Sequence, residues 1–387
     1  MKLAIYHPWI YLRSGVERMF AEMVPRSEHD WVLYTHRFTP ETTYPELAHL
    51  DVRQLTPGVS VQRSAAPIGK AALTIAATKL PRDGARALLV SSEGLGDLVM
   101  LRNRIPSVAY CHTPLKIIHD QATNQRLAEM SPKKHAAARV AGPAFTLADR
   151  AMWRRYAHAF VNSREVQDRV VAAKLRSRER TEVLYPGVSL DQREFVEGRQ
   201  TNTFLAAGRI MWQKNLELAI DAIRVAIGRG LDVDLDIAGT VDLKSQSYLA
   251  MLRQRAHGLP VRFCVDPTDP QMIGLMQEAR ALVFTALNED FGMVLLEAMA
   301  CGTPVIAVDR GGPTEIVTSS SGWLVEPSAE GFAAALAKAA EPDGFHNLQI
   351  AARSRAESFG WHVFTQRVDA VMSAIAQGET VPSRESA

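Results

Sequence analysis

An α/β fold in two domains, each a parallel sheet flanked by helices, is what this sequence predicts. Three observations carry the expectation. The 387 residues, 47% of them hydrophobic, can bury a large core and ordinarily divide into two domains. Short β-rich runs alternate with longer helical patterns along the whole chain. A polar, strand-poor stretch after Tyr185 separates two series of such units.

The first series contains "KLAIY" (2–6), "ALLVSS" (87–92), "PSVAYCHT" (106–113) and "HAFVNS" (158–163), each short and rich in strand formers. "PGVSLDQREFVEGRQTN" then reads as a linker, giving a first domain over 1–186 and a connection over 187–202. The second series, "TFLAAGR" (203–209), "VDLDIAG" (233–239), "VRFCV" (261–265), "ALVFTA" (281–286) and "TPVIAV" (303–308), marks a second domain over 203–360. A helical pattern over 361–378 and a flexible tail over 379–387 complete the chain. Two βα domains facing each other leave a cleft at the carboxyl ends of both sheets, where open α/β folds bind ligands.

Composition narrows the function classes. The start of the chain is too short in apolar residues for a signal peptide, and no run of eighteen apolar residues follows, so a cytoplasmic protein is expected. Cys111, Cys264 and Cys301 have neither zinc nor redox spacing and read as buried thiols. Charge is unequal: residues 1–186 hold 27 Lys and Arg against 17 Asp and Glu, a net of +10, and residues 187–387 hold 17 against 25, a net of −8.

The chemistry concentrates in "NEDFGMVLLEAMACGTPVIAV" (288–308), where Glu289 and Glu297 stand eight residues apart. Gly292 lies where the chain turns from a strand into a helix, so the backbone N–H groups near Phe291 and Gly292 are available to an anion. Glu289 before the turn can accept hydroxyl hydrogen bonds, and Glu297 about two helical turns further on can hold a ribose. In "AAGRIMWQKN" (206–215), Arg209 leaves a strand end and Lys214 stands at the next helix start, two cations suited to a diphosphate.

These segments, "GRIMWQKNLELAIDA", "EDFGMVLLEAMACGTPVIAVDRGGPTEIV" and "SGWLVEP", resemble the nucleotide-sugar domain of retaining family 4 glycosyltransferases of GT-B fold, an α/β architecture of two Rossmann-like βα domains facing across a cleft. "AYCHTPLKIIHD" (109–120) with "EDFG" is similar to the GDP-mannose-dependent mannosyltransferase branch. The resemblance implies that Arg209 and Lys214 bind the donor diphosphate, Glu297 the ribose and Glu289 the donor sugar. The backbone at Phe291 and Gly292 adds N–H donors, and Gly15 approaches the diphosphate from the amino-terminal, acceptor-side domain. His112, with Asp120 as a companion, is implied near the reacting sugar carbon, in an electrostatic role. Two departures stand out: Ser14-Gly15 replaces the family's paired glycines, and "IAGTVDLKSQ" (237–246) lacks the glycine-rich continuation.

The resemblance implies transfer of mannose from GDP-mannose to a hydroxyl of a glycan or polyprenyl-diphosphate-linked acceptor in surface glycan synthesis, by front-face displacement with domain closure excluding water. No cofactor and no metal are expected. A UDP-sugar donor, or a nucleotide-sugar epimerase or hydrolase on the same fold, stays open, while the intact set Arg209, Lys214, Glu289 and Glu297 argues against a non-catalytic binding protein. "DVDLD" (232–236) reads as a strand with its acids on one face rather than as a metal chelator. "SSEGLGDLV" (91–99) lacks the third glycine of a dinucleotide loop. A glycosidase would use the two carboxylates but leaves the cations unexplained.

One basic stretch remains. "KKHAAARVAGPAFTLADRAMWRRY" (133–156) holds six Lys or Arg against one acid, interleaved with Phe145, Trp153 and Tyr156. It reads either as a basic amphipathic helix lying on an anionic membrane surface, peripheral at the inner face, or as a solvated helix with its aromatics in the core. No nucleic-acid motif accompanies the charge.

Overall fold

The computed structural model describes residues 1–60, 65–81, 83–120, 123–125, 128, 131–191, 193–196, 201–242 and 244–383. The chain divides into two compact units, Met1–Gly187 with Trp361–Ala387, and Val188–Gly360.

The first unit is built on β1 (Lys2–Tyr6), β2 (Asp30–Thr35), β3 (Val52–Gln54), β4 (Leu88–Ser92), β5 (Ser107–Cys111), β6 (His158–Val161) and β7 (Glu182–Val183). They lie in the order β3-β2-β1-β4-β5-β6-β7, and every pairing is parallel. Every residue of β4 and β5 is buried, as expected of central parallel strands covered on both faces. Tyr6, Tyr34, Val90, Trp153 and Tyr156 anchor the core of this unit. The strand order reverses between β1 and β4, and the carboxyl ends there form a topological switch point.

The second unit contains β8 (Thr203–Ala207), β9 (Asp234–Gly239), β10 (Val261–Val265), β11 (Leu282–Phe284), β12 (Val305–Val308) and β13 (Gly322–Val325), in the order β10-β9-β8-β11-β12-β13 and again all parallel. Its core includes Phe204, Ile220, Ile237, Phe332 and Leu336. The helix Leu216–Gly228 buries Leu216, Ala219, Ile220 and Ile223, the three-and-four spacing that aims one face at the sheet. Here the switch point falls between β8 and β11, the two strands that precede Arg209 and Glu289.

The carboxyl-terminal helix Trp361–Gln377 belongs to the first unit. Arg367 grips Glu182 of β7 through two bonds of 2.8 Å each, and Asp369 accepts from the Ser27 hydroxyl at 2.6 Å and the Glu28 N–H at 3.1 Å. Where this helix begins, a Cβ on Gly187 would lie 2.5 Å from the Trp361 nitrogen, so only glycine fits the approach.

From Val188 on, the segment read as a linker over 187–202 belongs to the second unit. Val188 N–H donates to the Phe359 carbonyl at 2.8 Å, and Gln277 donates to the Glu194 carbonyl at 3.1 Å. Residues 192 and 197–200 of that segment, and 384–387 of the expected tail, lie outside the described residues. The thiols also differ from expectation: Cys111 and Cys301 are buried, but Cys264, on the edge strand β10, is half-buried. Among the described residues no helix is long and apolar enough to cross a membrane.

Candidate functional site

In the second unit, close backbone packing brings the predicted residues to the switch point. A Cβ on Gly239 would stand 1.7 Å from the Gly208 carbonyl oxygen, so the ends of β8 and β9 touch backbone to backbone. Arg209, the next residue, is exposed, and its side chain makes no hydrogen bond or ion pair among the described residues. The chain then turns through Trp212–Lys214 and leaves with Asn215 in the left-handed region, φ 51°. The Thr285 hydroxyl donates to the Lys214 carbonyl at 2.9 Å, and the Asn215 amide donates to the Thr285 carbonyl at 3.3 Å. These two bonds stitch the loop after β8 to the loop after β11.

The stitching delivers a charged pair. Lys214 Nζ lies 2.7 Å from Glu289 Oε2 and 5.2 Å from the centre of the Phe284 ring. Gly292, at φ 101°, caps the helix Met293–Ala300 with no side-chain hydrogen bond, which leaves the first helical amides to other acceptors. Phe291 beside it is buried. Glu297 turns instead to Arg193, 3.7 Å away in an ion pair. Sequence reasoning missed Arg193, because it sits in the segment read as a linker and no local pattern announces it. It also missed Gly312, whose N–H donates to the Glu289 carbonyl at 3.1 Å and whose Cβ, were there one, would lie 2.4 Å from Phe291 Cα. The paired glycines of "DRGGP" were the available signal.

In the first unit the carboxyl ends of β1, β4 and β5 gather a buried cluster. His112 follows β5 and shares a 2.8 Å hydrogen bond between Nε2 and the Ser91 hydroxyl. His7 follows β1, and its Nδ1–H donates to the Ser91 carbonyl at 2.9 Å. Burial, with His7 close by, pushes the His112 imidazole down to about 3, so it is uncharged at neutral pH. The Thr113 hydroxyl next to it is buried without a hydrogen-bond partner among the described residues. His7 was missed by the sequence reading, although it stands at a strand end as His112 does.

Gly15 opens the helix Gly15–Arg26, and Ser14 is its N-cap. The Ser14 hydroxyl accepts from Val16 N–H at 3.3 Å and donates to Glu17, whose other oxygen accepts from the Tyr11 and Leu12 N–H groups at 3.3 and 3.2 Å. The departure from paired glycines therefore supplies a cap, with the loop before it held by Glu17. Asp120 is held by Thr123 N–H at 2.6 Å and by Arg169 at 3.7 Å. Burial alone would raise its carboxyl, but these partners bring it below the usual range.

The discounted signals have structural explanations. Asp236 of "DVDLD" is gripped by Arg262 across β9 and β10, with Nε to Oδ1 at 2.9 Å, while Asp234 is exposed at the start of β9. In "SSEGLGDLV" a Cβ on Gly94, at φ 102°, would meet Leu115 Cβ at 2.5 Å, so this glycine serves close packing.

The basic stretch forms the helix Pro132–Trp153. Trp153 and Tyr156 are buried in the core, and Phe145 packs against it. The outward stripe, Val140, Ala144, Leu147, Ala151 and Arg154, is exposed throughout, with Val140 at 84% and Leu147 at 74%. Arg155 is committed to the fold, donating to the Met100 and Asn103 carbonyls. The side chains of Lys133 and Lys134 lie outside the described part of the structure.

Known proteins resemble this chain. Residues 190–356 match the family model described as glycosyl transferases group 1. The chain is 32% identical over 170 residues to the GDP-mannose-dependent alpha-(1-6)-phosphatidylinositol dimannoside mannosyltransferase of Mycobacterium tuberculosis, covering 44% of this chain and 43% of that protein. It is 31% identical over 211 residues to the human alpha-1,3/1,6-mannosyltransferase ALG2, covering 48% and 51%. The match thus spans about half the length of these relatives. Among solved structures, Anabaena HepE in complex with UDP-glucose superposes with a TM-score of 0.72 at 18% identity, covering 97% of this chain and all of that one. Residues 190–356 are therefore a glycosyl transferases group 1 domain, carried by a chain of two parallel-sheet α/β units with the GT-B fold and with mannosyltransferases among its relatives.

Proposed function

We propose that this protein is a retaining glycosyltransferase that moves mannose from GDP-mannose to a hydroxyl of a glycan or polyprenyl-diphosphate-linked acceptor, without a metal. The observation that carries the reading is the Lys214–Glu289 pair, 2.7 Å apart at the switch point of the matched domain, with the exposed Arg209 nearby in sequence and a helix start capped by Gly292. A nucleoside diphosphate offers what these groups lack. Its oxygens draw Lys214 and Arg209, and the helix amides after Gly292 add donors. Glu289, released from Lys214, accepts hydroxyls of the sugar, and Glu297, oriented by Arg193, accepts those of the ribose.

In the reaction the bond from the anomeric carbon to the diphosphate oxygen breaks while the acceptor oxygen bonds to the same face. The acceptor proton passes to the departing diphosphate, whose growing charge Arg209 and Lys214 stabilise. His112, held neutral by burial, contributes a dipole toward the sugar and carries no proton. A second reading, transfer from a UDP-sugar, draws support from the likeness to a structure holding UDP-glucose.

The acceptor side rests on the exposed stripe of the helix Pro132–Trp153. Val140 and Leu147, with Arg139 and Arg154 exposed nearby, suit the surface of an anionic membrane, which fits a lipid-linked acceptor and a peripheral location at the inner face.

Thermal-shift titration with GDP, UDP and ADP, followed by NMR of the product formed in excess EDTA, tests the proposal. Selective stabilisation by GDP, and a product with the donor's anomeric configuration, are expected. An inverted product, or a strict need for manganese or magnesium, would overturn the mechanism, and preference for UDP would move the donor to the second reading. Release of free sugar at the same rate with and without acceptor would instead mark a hydrolase.

A further inference from the structure

We propose that the first unit carries a second anion site, a pocket of about 530 Å3 at the amino-terminal edge of its sheet, which takes the phosphate of a small phosphorylated molecule or of a lipid headgroup. The pocket opens where β4 begins at Leu88 and where Ile105 leads into β5. His112 follows the opposite end of β5, about 16 Å away along a five-residue strand. The pocket is therefore separate from the histidine cluster, and it involves none of the residues assigned to the donor.

Its rim is cationic. Lys79, Arg102 and Arg104 line it, all three are exposed, and none makes a side-chain hydrogen bond or ion pair among the described residues. Among the described residues no Asp or Glu lines the pocket. The acid in the adjoining connection, Asp83, is already engaged, accepting from the Tyr34 hydroxyl and from Arg53 at 2.6 Å each. Leu80, Leu88 and Ile105 give the pocket an apolar wall.

Isolated surface cations are common and signify little, but here two chain segments are fixed together so that their cations face one space. Asn103, buried between them, accepts from Leu80 N–H at 2.9 Å and donates to the Thr78 carbonyl at 2.8 Å and the Val99 carbonyl at 2.7 Å. Lys79 lies between two residues bound by that amide, and Arg102 and Arg104 flank the asparagine itself. Arg155 braces the same turn by donating to the Asn103 carbonyl at 3.0 Å. Three like charges held on a concave wall focus a positive potential that a phosphate relieves, and two guanidinium groups match its oxygens. A volume of this order, with an apolar wall beside the charges, suits a phosphate ester with an organic body.

The test starts from the full chain carrying Arg209→Ala and Lys214→Ala, so that the proposed donor cations contribute nothing. Pyrophosphate is titrated by calorimetry, and vesicles of phosphatidic acid in phosphatidylcholine are tested by sedimentation. Saturable pyrophosphate binding that weakens at least tenfold when Lys79→Gln, Arg102→Gln and Arg104→Gln are added, at unchanged ligand-free Tm, supports the site with a soluble ligand. Vesicle binding lost in the same variant, with pyrophosphate inert, supports it with a lipid headgroup. A parent protein that binds neither probe, or a triple variant that binds as its parent does, overturns the proposal.

Discussion

The two units build the same kind of parallel sheet and equip its carboxyl ends in opposite ways. In the second unit the strand ends carry charge, with Lys214 paired to Glu289, Glu297 to Arg193, and Arg209 exposed. In the first they carry a buried, hydrogen-bonded cluster of His7, Ser91 and His112, the last held neutral by burial. One topology thus supports either ion pairs or a buried hydrogen-bonded histidine cluster at its strand ends. The choice lies in loop residues just past the strands, which the sheet core does not constrain.

The sharpest test of that contrast asks whether charge in the first unit is structural. Arg367 and Glu182 join the last helix to β7 through two bonds of 2.8 Å, and both side chains are largely buried. Arg367→Ala leaves the carboxylate without its main partner and should destabilise the first unit by about 3–5 kcal/mol, read by denaturant unfolding. The pH sign follows from Glu182. Burial pushes its carboxyl up from 4.5, but His158 and Arg367 outweigh that and bring it down to about 2. Its stabilisation is therefore full above pH 4.5 and lost as pH falls through about 2. The variant should show a shallower acid loss than the parent, and an equally steep one would mean the pair is not what holds the helix.

In the second unit the corresponding change should cost chemistry and spare the fold. Removing Arg209 and Lys214 together is expected to cut kcat/KM at least a hundredfold, about 3 kcal/mol, with Tm nearly unchanged. A double variant that kept most of its turnover would break the comparison, because the charges would then be ordinary surface groups.

His112 bears on the same contrast from the neutral side. Its replacement by Ala should lower kcat about tenfold, roughly 1.4 kcal/mol, as expected for one dipole. Because the imidazole titrates near 3, the parent and the variant should share one shape of pH–rate profile from pH 5 to 8. A limb near pH 6.5 that disappears with His112 would show that it works by proton transfer. The depressed value also means that His112 favours the fold above its ordinary value of 6.5, and this contribution declines as pH falls toward 3.

Much of this was legible in the sequence, for identifiable reasons. The strands of the second unit could be read because parallel strands buried on both faces are continuous apolar runs, as "ALVFTA" and "TPVIAV" are. Lys214 and Glu289 stood out because charged residues beside a glycine at a strand end break that apolar pattern. Arg193 did not, because its partner Glu297 is 104 positions away, and a spacing of that kind leaves no periodic trace. The segment over 187–202 hides a second contact of this kind. Its polar composition hides Phe195, which packs so closely on Gly302 that a Cβ there would lie 2.2 Å from the ring. His7 went unread because one histidine after a strand forms no motif until Ser91 and His112 are folded beside it.

A last expected effect concerns the outer face of the first unit. The helix Pro132–Trp153 turns its aromatic residues inward, so any lipid contact rests on the exposed stripe of Val140 and Leu147 and on the basic residues near it. Each basic group near an anionic surface contributes about 1 kcal/mol, and that contribution fades as salt shortens the screening length. Arg155 is a poor choice for mutation, because it braces the Met100 and Asn103 carbonyls and its loss would disturb the fold. Arg139→Gln with Arg154→Gln, two exposed positions, should therefore weaken sedimentation with anionic vesicles by about 2 kcal/mol, near thirtyfold, at low salt. Val140→Ser with Leu147→Ser should weaken it further at any salt, since burial of apolar surface is not screened. Donor affinity measured by calorimetry should not move in either variant. If the parent protein stays in the supernatant with anionic vesicles at low salt, the stripe is not a membrane face, and a soluble acceptor becomes the better reading.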